Sequence, residues 1–98
     1  MGIDIIIQNQ IHERIGLVYG DAGDTLVKYR ENAPAGSILR GLHAHADTMF
    51  NTTQLAMLLG EIANDLPNNE QEAEMFAVLR DAAETAIRWN GYLWFSGD

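Results

Sequence analysis

The sequence predicts an α+β domain, a small and mainly antiparallel sheet with a helical hairpin packed on one face. Three observations carry that expectation. Ile3, Ile5 and Ile7 alternate with Asp4, Ile6 and Gln8, a period of two in β-branched residues. Two stretches, 51–66 and 69–89, repeat apolar residues at helical spacing, and the link between them is short. The last aromatic run, Tyr92-Leu93-Trp94-Phe95, is more apolar than a frayed chain end and reads as a strand locked into the sheet. Strands are expected near 2–8, 15–19, 25–29 and 92–96.

Each element has its own signal. Ile6 makes the opening run apolar on both faces, which places it inside the sheet, and 8–13 reads as a polar connection. Ile15 to Tyr19 and Thr25 to Tyr29 are short β-prone runs around Gly20-Asp21-Ala22-Gly23-Asp24, so they read as a hairpin with a five-residue loop. Pro34 and Gly36 mark a loop, and Ser37 could cap one helical turn over the residues that follow, or these could be extended. Asn51 with Gln54 three residues on resembles a capping box, and Phe50 could staple onto that helix. Leu55, Leu58, Leu59, Ile62 and Leu66 follow as its stripe until Pro67 ends it. Asn68 or Asn69 caps the second helix, whose stripe is Phe76, Leu79, Ala83 and Ile87 and whose stop is Asn90-Gly91. The two helices then form an antiparallel hairpin on the sheet.

A chain of 98 residues makes a single domain, 1–98, with a core but little room for an enclosed cavity beside it. That disfavours enzymes with large substrates or cofactors. Fourteen acids against six lysines and arginines leave a net charge of −8. Such a field repels nucleic-acid phosphates and anionic membranes and steers the protein toward a basic protein partner. No cysteine is present, which excludes disulfides, thiolate metal sites and a cysteine nucleophile. No apolar run approaches the ~18 residues of a membrane span. The opening residues lack the basic start of a signal peptide, so a cytoplasmic location is expected.

The chemistry-bearing residues are few. In an extended chain, His43, His45 and Asp47 face one way and could hold a divalent ion such as zinc; otherwise no cofactor is expected. The competing reading makes Asp47 and Thr48 the residues that order the loop ahead of the Asn51 cap. Gly20 to Asp24 lacks both the glutamate of a calcium loop and the lysine of a phosphate loop, so it reads as a turn. No serine, histidine and acid stand in a nucleophile setting, which points away from catalysis. Glu70, Glu74, Asp81 and Glu84 share one side of the second helix, and Glu61 and Asp65 lie one turn apart on the first. These six form the expected partner-binding surface. Tyr92 and Trp94 alternate with Leu93 and Phe95, so one pair faces the helices. The other pair, with an exposed Ile6, would form an apolar patch suited to a homodimer.

Three segments together carry a resemblance: Met1-Gly2-Ile3-Asp4-Ile5, Ile38-Leu39-Arg40 through Asp47-Thr48-Met49-Phe50-Asn51, and Tyr92-Leu93-Trp94-Phe95-Ser96-Gly97-Asp98. The chain resembles a family of small uncharacterised bacterial proteins, mainly actinobacterial. Those have a Gly-Asp-Thr-x-Phe-Asn loop, a helix pair and a Tyr-Leu-x-Phe-x-Gly-Asp end. The resemblance implies no activity. This chain departs from it at His43-Ala44-His45-Ala46, where the family has Asp-Pro-Tyr-Gly, which counts against a shared metal site. It also suggests that Asp47 and Asp98 meet where the loop and the chain end converge. The function expected is therefore non-catalytic. It is a cytoplasmic protein-binding domain, an inhibitor of immunity or anti-defence type being one form, that presents an acidic helical face to a basic partner. A small metal-binding protein and a homo-oligomeric structural domain are the alternatives.

Overall fold

The computed structural model describes residues 2–20, 25–42 and 46–97. Within them the order is β1 (Ile3–Gln8), β2 (Arg14–Gly20), α1 (Thr25–Glu31), a short 3₁₀ turn (Leu39–Gly41), β3 (Asp47–Phe50), α2 (Thr52–Ala63), α3 (Glu70–Arg88) and β4 (Tyr92–Gly97). The four strands form one antiparallel sheet in the order β2-β1-β4-β3. The domain is α+β, with helices packed on the sheet.

The central pair joins the two ends of the chain. β1 and β4 run in unbroken register from Ile3 opposite Gly97 to Gln8 opposite Tyr92. Their helix-facing side chains, Ile3, Ile5, Ile7, Leu93 and Phe95, are buried and meet Leu55, Leu58, Met75, Leu79 and Ala83 in one core. Each large aliphatic or aromatic side chain buried there contributes roughly 1.5–3 kcal/mol against exposure. Tyr92 and Trp94 turn to the other face, as their alternation requires. Ile6 joins them there but is only 6% exposed, which corrects the expectation of an exposed isoleucine. It lies in register between Leu17 of β2 and Trp94 of β4, so that face hides it from both sides. The exposed apolar residues of this face are Leu17, at 53%, and Met49, at 40%.

Two further expectations are overturned. Residues 25–31 are α1 rather than the second strand of a hairpin with β2. Leu26, Tyr29 and Ala33 share a spacing of three and four that suits a helix, and Leu26 and Ala33 are both buried. The side of β1 away from β2 is taken by the distant β4, so the sheet grows there instead. The loop of that expected hairpin, 21–24, lies outside the described residues. Conversely, Asp47 and Thr48 do not order a loop. They open β3, opposite Ser96 and Phe95, and the Thr48 hydroxyl is buried with no partner among the described residues. The backbone N–H of Gly97 donates to Ala46 at 3.2 Å, so the start of β3 does meet the chain end, while Asp98 lies outside the described residues.

The helix ends follow local chemistry. The Asn51–Gln54 capping box is present in both directions at 2.9 Å. Asn69 caps α3 by accepting from the Glu72 N–H at 2.8 Å. α2 stops at Ala63, short of Pro67, because Asn64 and Asp65 already tighten its last turn. At the far end of α3, Asn90 adopts the left-handed conformation at φ 55° and Gly91 N–H donates to Ala86 at 2.8 Å. Gly91 is required for space rather than for its φ, since a Cβ there would lie 2.0 Å from the Gln8 carbonyl oxygen. Gly91→Ala is expected to lower the unfolding free energy by about 1–3 kcal/mol in urea titration, the usual penalty of overpacking.

Candidate functional site

The helical period sorts α3 into two opposite sides. Met75, Leu79, Ala82 and Ala86 are buried, while Glu70, Glu74, Asp81 and Glu84 stand exposed on the reverse. Beside this acidic side runs β2, an outer strand of the sheet. β2 carries two irregularities in its pairing with β1, between Ile5 and Ile6 and between Ile7 and Gln8. Each leaves one extra residue on β2, Val18 in the first case and Ile15 in the second, and both are partly exposed, at 38% and 41%. A bulge re-aims the side chain it frees. Val18 turns to the helix side and lines a groove of about 250 Å³ with Ile7, Val78, Asp81, Ala82 and Thr85. The groove is lined mostly by apolar residues, with Asp81 and Thr85 as the polar ones. The Thr85 hydroxyl is held by the Asp81 carbonyl at 2.8 Å and receives an N–H from Arg88 at 3.2 Å.

The six acids expected to share one surface fall into two groups. Glu70, Glu74, Asp81 and Glu84 form the outer stripe of α3. Glu61 instead braces the loop that carries the 3₁₀ turn, and Asp65 ties the segment after α2 to α1. Glu61 accepts from Ile38 N–H at 2.6 Å and from Leu39 N–H at 3.4 Å. It supplies the cap that Ser37 was one candidate for, and the Ser37 hydroxyl is buried with no partner among the described residues. Asp65 accepts the Tyr29 phenol through Oδ2 and the Leu66 N–H at 2.9 Å through Oδ1. Sequence reasoning found the acids from their spacing but not the bonds to Ile38, Leu39 and Tyr29, because those partners are 22 to 36 residues away. It also missed Val18, whose exposure follows from a bulge rather than from alternation.

His43 and His45 lie outside the described residues, so the proposed metal set is not brought together or separated here. Asp47 is exposed at the head of β3. Among the described residues no cluster of three or more histidines and acids suited to a metal occurs, and no helix is long and apolar enough to cross a membrane. The remaining histidine, His12, adopts φ 67°, stacks on Tyr92 at 4.1 Å and shares a 3.0 Å hydrogen bond between its Nδ1 and the Gln8 side chain. That arrangement folds the β1–β2 connection over the sheet face opposite the helices. No family model matches the chain, and neither the curated proteins nor the solved structures offer a match.

Burial and the Asp65 carboxylate hold the Tyr29 phenol well above its ordinary value of 10.0, with Glu72 and Glu61 adding to the effect. The neutral phenol is thus favoured in the folded protein. Its contribution to stability is present below pH 10.0 and declines above it, where the unfolded chain ionises first. Tyr29→Phe should flatten that alkaline decline in denaturation midpoints measured from pH 8 to ~11. Parallel absorbance titration of the native protein should show one phenol ionising late.

Proposed function

We propose that this protein is a non-catalytic binding domain that docks a basic protein partner against the outer side of α3 and the adjoining edge of β2. One observation carries the reading: the groove beside Val18 sets a mostly apolar lining beside the exposed Asp81, within a helix side that holds four carboxylates. Charges of one sign steer encounter and exclude wrong partners, while a desolvated apolar contact slows dissociation. An inhibitor that covers a basic functional surface uses the same division of labour, and immunity or anti-defence proteins are the form this takes. The net charge of −8 extends the attraction beyond the contact itself.

The test compares affinity capture from the native host by three proteins: the wild type, a Glu74→Gln/Asp81→Asn/Glu84→Gln variant, and Val18→Asp. The wild type should retain a basic partner at about 0.1 M salt and release it near 1 M, where the Debye length falls from ~10 to ~3 Å. The charge variant should associate more slowly, and Val18→Asp should dissociate faster. Capture unaffected by all three changes overturns the reading.

The sheet face away from the helices supports a second reading, a homo-oligomer. Leu17 and Met49 are exposed there next to the half-buried Trp94 and Tyr92. Light scattering at two concentrations should then show a larger species that Leu17→Lys abolishes.

A further inference from the structure

The sheet face away from the helices carries a groove of about 240 Å³ lined by Gln8, Asp47, Thr48, Met49 and Trp94. Its layout follows from the strand register. Trp94 of β4 stands between Ile6 of β1 and Met49 of β3. Gln8 lies opposite Tyr92, and Asp47 lies opposite Ser96, so these two sit diagonally on either side of Trp94. Alternation along the strands turns Gln8, Asp47, Met49 and Trp94 to this one face. The two rings that β4 presents there differ. Tyr92 is covered by the stacked ring of His12 at 4.1 Å. Trp94 is half-buried and meets no other ring among the described residues, which leaves part of its indole to the groove.

Gln8 supplies an independent observation. It is only 6% exposed, a polar side chain among apolar neighbours. A buried amide is costly unless its groups are paired. Its Oε1 meets His12 Nδ1 at 3.0 Å, which occupies one end of the carboxamide. The other end has no partner among the described residues. It is not sealed from solvent either, since the enclosed side-chain atoms without partners are the Ser37 and Thr48 hydroxyls. A nearly buried side chain thus keeps free N–H donors at the wall of the groove. Diagonally across Trp94, the exposed Asp47 carboxylate offers acceptors.

These groups select a ligand. The indole calls for a ring with an apolar side. An amide donor at one end and a carboxylate at the other call for hydroxyl groups, which both accept and donate. The net charge of −8 disfavours anions, nucleotides included. A quaternary ammonium ion would suit Trp94 and Asp47, but it has no atom to accept from Gln8. A neutral sugar ring meets every condition. We propose that this groove binds a single pyranose unit, its C–H face on Trp94 and its hydroxyls shared between Gln8 and Asp47. The unit could arrive as a free monosaccharide or as part of a glycan, and the two share this chemistry. The site has no residue in common with the α3 surface. It competes with a second copy of the chain for the same sheet face.

The experiment is a titration of the ¹⁵N-labelled protein with the methyl glycosides of glucose, galactose, mannose and N-acetylglucosamine, with glycerol and choline as controls. At least one glycoside should saturably shift the Trp94 indole N–H and the Gln8 side-chain amide and leave the exposed Trp89 unmoved. Half-saturation is expected on the order of 1 mM, ordinary for so small a ligand. A disaccharide of that sugar saturating at lower concentration identifies a glycan as the source, and no gain identifies a free monosaccharide. Asp47→Ala, at an exposed position that does not endanger the fold, should weaken binding about tenfold, the scale of one charge-assisted hydrogen bond. Trp94→Leu should abolish it. Each of four results would overturn the proposal: no saturable shift at Trp94 and Gln8 with any of the four glycosides, equal shifts with glycerol, preference for choline, or binding unchanged in Asp47→Ala. Signals of this face that move with protein concentration and not with sugar would also overturn it, and would assign the face to a second copy.

Discussion

The pairing of β1 with β4 is the constraint on which the rest of the molecule depends. It joins segments almost a full chain length apart and places Ile3, Ile5 and Ile7 beside Leu93 and Phe95 on one apolar surface. Neither strand could bury that surface alone, and a two-stranded ribbon is marginal in water. The helices supply the second layer. α3 lies across both central strands and sends Met75, Leu79 and Ala83 into the same core that α2 reaches with Leu55 and Leu58. The closeness of this junction shows at Gly91, where the chain leaves α3 for β4 and passes directly against the end of β1.

Once that layer is in place, it decides what each carboxylate does. The outer side of α3 must face water because its reverse is committed to the core, so Glu70, Glu74, Asp81 and Glu84 remain available to a partner. The end of α2 is different. It lies against the loop that follows α1, and Glu61 and Asp65 become the acceptors for backbone and phenol groups that would otherwise be unpaired. Acids that look alike in sequence thus divide into an exposed stripe on α3 and a set of structural acceptors that also line a cleft. The bulge at Val18 acts in the same way on the apolar side, converting a strand residue into part of the lining of a groove.

Much of the fold was legible because its signals are local. The Asn51–Gln54 box needs only residues within one turn, and both of its hydrogen bonds are present. The alternation through 92–95 correctly separated Leu93 and Phe95 from Tyr92 and Trp94. The errors lie where local evidence is balanced. Residues 25–31 are short and β-prone, and their helical spacing becomes decisive only once Leu26 has a core to enter. Asp47 and Thr48 carry turn-forming side chains, yet β4 offers them an edge with unpaired backbone groups, and pairing there outweighs the local preference.

The sequence by itself determined the α+β class, the central position of the first strand, the helical hairpin with its caps, the acidic side of α3 and the absence of any cysteine chemistry. These follow from periodicity, capping chemistry and charge, all of which act within a few residues. Tertiary structure alone decided the strand order, the helical state of α1, the edge strand β3 and the hydrogen bonds that Glu61 and Asp65 accept from distant segments. Each of those depends on a contact between segments more than 20 residues apart, such as Glu61 with Ile38 or Tyr29 with Asp65. The reason is physical: a buried donor or an open sheet edge takes whatever partner the packed chain brings near, and no local pattern encodes which partner that will be.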